Sequence, residues 1–316
     1  MAITGSTPDT LNPAFIKTIK PVDGWISLNL GELWQYREML WFLIWRDLKV
    51  RYKQTVLGMF WAIIQPFVTM IVFSFVFGRL AKLPSDGIPY PLFSFVGLLP
   101  WNFFSNGLSK ASTSMTNNSS LIKKIYFPRI ILPITSIASG FIDMGLSFVM
   151  LLLLMVYYWL TIQNLTGALH IYPVANPELV YAKFAALELH FQITGNIIWL
   201  PALLLLAFIS SLGISLWFAA LNVYFRDVGQ AMTFITRIGM YVTPVIYPIS
   251  ALPHGFRTLA ALNPMTGVVE GFRWALLGTD TAPQPTIIIA ALISIVLLVS
   301  GAFYFRRAES KFADLV

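Results

Sequence analysis

The 316-residue chain is 57% hydrophobic and only 11% charged, with a mean hydropathy of +0.72. A soluble domain cannot hide that much apolar surface, so the composition describes an integral membrane protein. The net charge of +7 is dispersed among apolar runs, which argues against a nucleic-acid partner, and the absence of cysteine excludes disulfides, thiolate metal sites and a cysteine nucleophile.

Residues 1–32 lack a continuous apolar stretch and contain Pro8, Pro13 and Pro21, which reads as a cytosolic lead-in rather than a signal peptide. From 33 to 55 the pattern is amphipathic. Trp34, Trp41, Trp45, Leu48 and Tyr52 fall within roughly 40° of one line at about 100° per residue. Arg37 and Arg51 flank that face on one side, and Arg46, Lys49 and Lys53 on the other. Such a helix suits the membrane interface, its cations reaching to headgroups. It is either a plain anchor or a helix that also touches a cytosolic partner.

A first span over 56–78 contains Gln65-Pro66, which bends the helix and frees a carbonyl, so a protein surface or a polar lumen is expected beside it. A second span over 90–110 is less regular, with Pro91, Pro100, Trp101 and Asn102. Then comes a short polar and basic island, NNSSLIKKIYFPRIILP, at 117–133. Ser119 and Ser120 are expected to cap a stub helix carrying Lys123 and Lys124, which Pro128 stops within a couple of turns. Alone, that stub reads as a connector among headgroups or as a knob inserted into a cytosolic partner.

A third span over 130–160 encloses Asp143, a carboxylate that is costly in a bilayer unless paired. Residues 161–196 form a polar insert, and its two histidines, His170 and His190, lack close ligand spacing, so no metal is expected. A fourth span (197–221), the turn NVYFRDVG (222–229) and a fifth span (230–247) follow. Pro253, Asn263-Pro264 and Gly278 then break 248–280 into two pieces too short to cross, which read as a re-entrant pair. A sixth span over 285–305 leads to a basic tail, Arg306, Arg307 and Lys311.

The fold class is therefore an all-α integral membrane protein with six transmembrane helices, an N-terminal amphipathic interface helix and a re-entrant hairpin before the last span. The membrane domain covers 56–306, including the 117–129 island, the external insert 161–196 and the hairpin 250–280, and 307–316 is a cytosolic tail. With both termini inside, sixteen of the 21 Lys and Arg fall within 1–55, 110–129, 222–237 and 306–316, the segments at or next to the cytoplasmic side, which fixes the expected orientation. No P-loop, H-E-x-x-H or G-x-S-x-G pattern occurs, so no catalytic site or bound nucleotide is expected on this chain. A secondary transporter normally needs several intramembrane ionisable groups, and one Asp is thin support for that.

Six pieces occur in order: RDLKVRYKQTVLGMFWAIIQP (46–66), LLPWNFFS (98–105), LIKKIYFPRIILP (121–133), NVYFRDVGQ (222–230), TPVIYP (243–248) and LNPM (262–265). Together they resemble the permease subunit of ABC-2 type exporters for cell-surface polysaccharide, such as O-antigen and teichoic acid, over roughly residues 30–310. The N-terminal lead-in and the 161–196 insert are larger than in compact members. The resemblance implies a homodimer in the bacterial inner membrane, paired with two copies of a separate ATPase that holds ATP and magnesium. It also implies a lipid-linked polysaccharide as substrate, amid membrane lipids.

On that likeness the island is a coupling helix, with Ser120, Lys123, Lys124, Tyr126 and Phe127 facing the ATPase, Arg129 at the membrane boundary, and Arg226 and Asp227 on the second cytoplasmic turn. The interface helix becomes a gate helix carrying Trp41, Trp45, Arg46, Lys49, Arg51, Tyr52 and Lys53. The channel lining falls to Trp61, Gln65, Phe67, Phe234, Tyr241 and Tyr247, and the outer gate to Arg257, Asn263, Pro264, Glu270 and Arg273. The rival readings are an ABC-2 exporter of a drug or small lipid, and a membrane glycosyltransferase or polymerase.

Overall fold

The computed structural model describes residues 30–53, 58–171, 195–225, 227–279, 283–309 and Phe312. Among the described residues every regular element is helical. The interface segment forms α1 (Leu30–Gln35) and α2 (Arg37–Lys53), joined through Tyr36, whose backbone bonds continue the helical ladder. Its aromatic line does not keep one environment. Trp34, Trp41 and Trp45 are exposed, whereas Leu48 joins Leu43 in the core, because α2 packs along α7 (Ile131–Ala138).

The first span is α3 (Phe60–Phe73), which runs on as a π-helical segment to Leu80. Proline at 66 cannot donate to the carbonyl of Ala62. Ser147 Oγ, on the neighbouring α8 (Gly140–Ile171), donates to that oxygen at 3.0 Å. The freed acceptor is thus satisfied by a protein surface, one of the two environments expected beside Gln65-Pro66.

The centre of the fold is α4 (Tyr90–Ser112), buried along most of its length. It packs against α3, α7, α8, α9 (Leu200–Tyr224), α10 (Val228–Val242) and α12 (Pro264–Leu277). A helix sheathed in protein need not be as apolar as one facing lipid, so the half-buried Asn102 and Ser105 are tolerated here, while Asn106 is exposed. The short helices α5 (Ser114–Asn117) and α6 (Ser119–Lys124) follow, then α7 and α8, which meet at Ser139.

Four stretches are long and apolar enough to cross a membrane: Phe60–Leu80, Ile131–Thr161, Gly195–Tyr224 and Gln284–Glu309. The chain is thus a multi-pass membrane protein. The helix α8 continues to Ile171, into the stretch expected as a polar insert; residues 172–194 lie outside the described residues. The expected fifth span is shorter than read. Pro244 drives Thr243 into the extended region, so α10 ends at Val242 after 15 residues.

Two short helices follow, α11 (His254–Ala261) and α12, broken at Pro253, Asn263-Pro264 and Gly278 as expected. Asn263 caps α12 by accepting from the Met265 N–H. The last helix, α13 (Gln284–Glu309), crosses α9 at backbone contact distance. A Cβ at Gly213 would lie 2.6 Å from Leu298 N, and one at Gly301 would lie 2.5 Å from Gly213 O. Only glycine allows this approach, the small-residue packing that membranes favour.

Candidate functional site

The polar groups gather where α2 meets α4, α8 and the island. Asp143 sits in the first turn of α8 and, as read from sequence, inside the apolar stretch Ile131–Thr161. Its carboxylate accepts hydrogen bonds from Arg51 Nη1 and from the Tyr52 hydroxyl, and Lys110 Nζ stands 3.9 Å away. Arg51 also donates to Ser139 Oγ at 3.3 Å. Burial, then the hydrogen bond to Asp143 and its charge, push the Tyr52 phenol up to about 12.

Asp143, Arg51, Tyr52 and Lys110 line a cavity of about 440 Å³ between α2, α3, α4 and α8. Trp61 and Gln65 from α3, and Asn102 and Asn106 from α4, complete it. An aromatic face, side-chain amides, two cations and a carboxylate form a donor and acceptor set suited to a hydroxyl-rich group. A groove of about 670 Å³ shares Arg51 and Lys110 with the cavity and continues between α2 and the island, past Arg46, Ser120 and Lys124. Arg46 Nη2 bonds Asp47 Oδ1 at 2.8 Å and Asn118 Oδ1 at 2.9 Å, tying α2 to the start of the island. Trp41, Trp45, Lys49 and Lys53 are exposed and line neither the cavity nor the groove.

Neither Ser119 nor Ser120 caps α6. Both lie inside the helix, and Asn118 holds the cap position without a side-chain cap bond. Ser120, Lys123, Lys124 and Tyr126 are exposed. Phe127 is 3% exposed: beyond α6 the chain is extended at Ile125, and Phe127 turns into the core instead of facing a partner. Asp227 is exposed just before α10, and Arg226 lies outside the described residues. Beside them Asn222 Oδ1 accepts from the Gly229 N–H at 2.9 Å, while Asn222 Nδ2 donates to Thr116 Oγ1 at 3.2 Å. Both expected cytoplasmic contact regions are therefore joined through buried Asn222.

Of the lining candidates, Trp61, Gln65, Phe234 and Tyr241 are exposed on α3 and α10. Phe67 packs against the core, and the Tyr247 hydroxyl donates to Tyr241 O at 3.0 Å. Of the hairpin residues, Glu270 pairs with Arg273, which is 1% exposed. Its Nη1 donates to Pro244 O at 2.7 Å and to Glu270 Oε1 at 2.9 Å, and its Nη2 to Val245 O at 2.6 Å. The guanidinium carbon lies 3.7 Å from the centre of the Phe93 ring. Asn263 Nδ2 donates to Thr243 Oγ1 at 2.8 Å, and Arg257 Nε donates to Leu252 O at 2.6 Å, within the turn ahead of α11. Arg273 and Asn263 thus bind the hairpin to the segment that ends α10, while Pro264 is buried at the first turn of α12.

Residues 38–277 match the family described as ABC-2 type transporter, which is more than half of the chain. The chain belongs to that family. Curated relatives align with this permease over almost their whole length. An O-antigen export system permease protein RfbA of Myxococcus xanthus is 27% identical over 290 residues, covering 90% of this chain and 98% of the relative. One from Klebsiella pneumoniae is 26% identical over 294 residues, 92% of this chain and 98% of the relative. The polysialic acid transport protein KpsM of Escherichia coli is 22% identical over 268 residues, 84% of this chain and 92% of the relative.

Within the ABC-2 permease, sequence reasoning missed Lys110 and Asn106 in the cavity and Asn222 and Thr116 at the cytoplasmic turns. A polar side chain near the end of an apolar helix was the available signal, but its partner lies on another helix. Among the described residues no group of three or more His, Asp and Glu side chains could hold a metal ion.

Proposed function

We propose that this permease is the channel-forming subunit of an ATP-driven exporter that moves lipid-linked cell-surface polysaccharide, O-antigen or a similar glycan, outward across the inner membrane. The observation that carries the reading is the alignment with O-antigen export permeases over nine tenths of this chain. Six helices cross the bilayer in this reading: the four long apolar stretches, the protein-sheathed α4, and α10 extended by residues 243–247. Two copies form the channel, and two copies of a separate ATPase dock on their cytosolic face. Both termini are cytoplasmic, in keeping with the Lys and Arg bias.

The exposed Ser120, Lys123, Lys124 and Tyr126 meet the ATPase, with Asp227 and Arg226 on the second turn. The helix α2 acts as the gate, held by Arg51 and Tyr52 on Asp143 and by Arg46 on Asn118. The 440 Å³ cavity receives sugar units at the membrane–cytosol boundary, with Trp61 as a platform for their C–H faces. Gln65, Phe234 and Tyr241 continue the lining, and α11 with α12 re-enters the membrane as an outer gate.

Deleting the gene and fractionating the surface polysaccharide and its lipid-linked precursor tests the reading. Full-length polymer trapped on the cytoplasmic side is the expected result. Short or absent polymer would move the case to a biosynthetic enzyme, and normal surface polymer to another cargo.

A further inference from the structure

The cytoplasmic end of α13 makes polar contacts that neither the cavity nor the lining uses. Arg129 is the first residue after the island's Pro128 and carries the first backbone N–H beyond it. That N–H lies at the start of α7, where a helix has no internal acceptor. Glu309 Oε1, 180 positions away, accepts it at 3.0 Å. The Arg129 guanidinium in turn donates to the Glu309 backbone carbonyl, in the last turn of α13, and lies 6.0 Å from the centre of the Phe312 ring. Each helix end thus satisfies an orphan group of the other. Arg306 adds a further link: Nη1 to Glu309 Oε2 at 2.7 Å, and Nη2 to Glu32 Oε2 at 3.4 Å. Glu32 lies on α1, which continues through Tyr36 into the gate helix α2.

We propose that Glu309 is a positioning residue of energy coupling: it clamps the exit of the coupling island to the last span and, through Arg306, to the head of the gate helix. The proposal rests on the export reading above. The island is held at both ends by groups that lead to the same α1–α2 unit, Asn118 at its start through Arg46 and Arg129 at its exit through Glu309 and Arg306. Displacement of the island by the ATPase then moves α1 and α2 as one piece and carries the cytoplasmic end of α13 with it. A single bond at one end would let the gate helix swivel; two bonds make it follow. The contacts join helix ends rather than helix middles, so a small shift there becomes a tilt of the whole helix.

The test uses the complete permease with its ATPase partner in vesicles, with ATP hydrolysis and polymer translocation read from the same samples. Glu309→Ala removes both the Arg129 and the Arg306 contacts of the carboxylate and is expected to lower polymer moved per ATP by at least about tenfold, the shift that the loss of one charge-assisted bond alone would give. Glu309→Gln keeps an acceptor for the Arg129 N–H and is expected to restore most of that ratio. A residue that merely stabilised the fold would lower assembly and both activities in step, leaving the ratio unchanged, and that result overturns the proposal. If Glu309→Ala does not assemble, Arg306→Ala decides. It cuts the link to α1 while sparing the Arg129 cap, and an unchanged ratio there also overturns the clamp. A wild-type complex that hydrolyses ATP without moving polymer would instead sink the export reading, before any variant is compared.

Discussion

Replacing Gly97 by alanine probes the packing around Arg273 with one methyl group. A Cβ at Gly97 would lie 2.8 Å from Arg273 Nη2 and 2.9 Å from Val245 O, both well inside van der Waals contact. The guanidinium has nowhere to retreat. The Phe93 ring lies 3.7 Å away on one face, and Nη1 is engaged by Pro244 O and Glu270 Oε1. The methyl therefore separates Nη2 from Val245 O. Overpacking of this kind costs about 1–3 kcal/mol and a lost hydrogen bond to a charged group about 1.5–3 kcal/mol; since they share one displacement, about 3 kcal/mol is the working figure. For a chain of this size that corresponds to a melting temperature lower by about 5–10 °C. The assay is thermal unfolding of the purified permease in detergent, followed by tryptophan fluorescence. Gly255→Ala is the control, because nothing lies within 4 Å of a Cβ there. Melting of Gly97→Ala within about 1 °C of the wild type would refute the argument that Arg273 is immovably packed.

Asp143→Ala should remove two influences that raise the Tyr52 phenol and leave burial alone, so its titration should move down from about 12; an alkaline absorbance difference against the wild type reads it. Ser147→Ala leaves the Ala62 carbonyl without its α8 partner and should cost about 1 kcal/mol in thermal unfolding. Asn222→Ala orphans the Gly229 N–H and releases Thr116, for about 1–3 kcal/mol, and should also lower retention of the ATPase during co-purification. Lys123→Glu combined with Lys124→Glu should uncouple ATP hydrolysis from export, and unchanged export in that variant would remove the coupling role from α6.

What the chain revealed by itself follows from how local each signal is. Proline and glycine act on their immediate neighbours, so the breaks at Pro253, Asn263-Pro264 and Gly278 could be read directly. The Gln65-Pro66 bend announced a freed carbonyl for the same reason, though not that Ser147 would answer it. Charge placement and apolar length gave the membrane class and the four long spans. Asp143 was legible as a carboxylate in need of a partner, but its partners sit 91, 92 and 33 positions away on other helices. No periodicity encodes such pairings. The helix α10 ends before the apolar run does, because apolar residues continue past Val242 while Pro244 decides the backbone. Phe127 was misread as a contact residue because an aromatic beside lysines looks the same whether it turns outward or inward.

The sheathing of α4 has a consequence for how the permease meets bilayers of unequal thickness. Lipid tails press on the helices at the periphery, and Tyr90–Ser112 is walled off from them by α3, α8 and α9. Hydrophobic mismatch is relieved by tilting whatever touches the acyl chains. A thinner or thicker membrane would therefore lean the outer spans around a fixed mast, and the cavity walls contributed by α4 would keep their height while the α3 wall inclines.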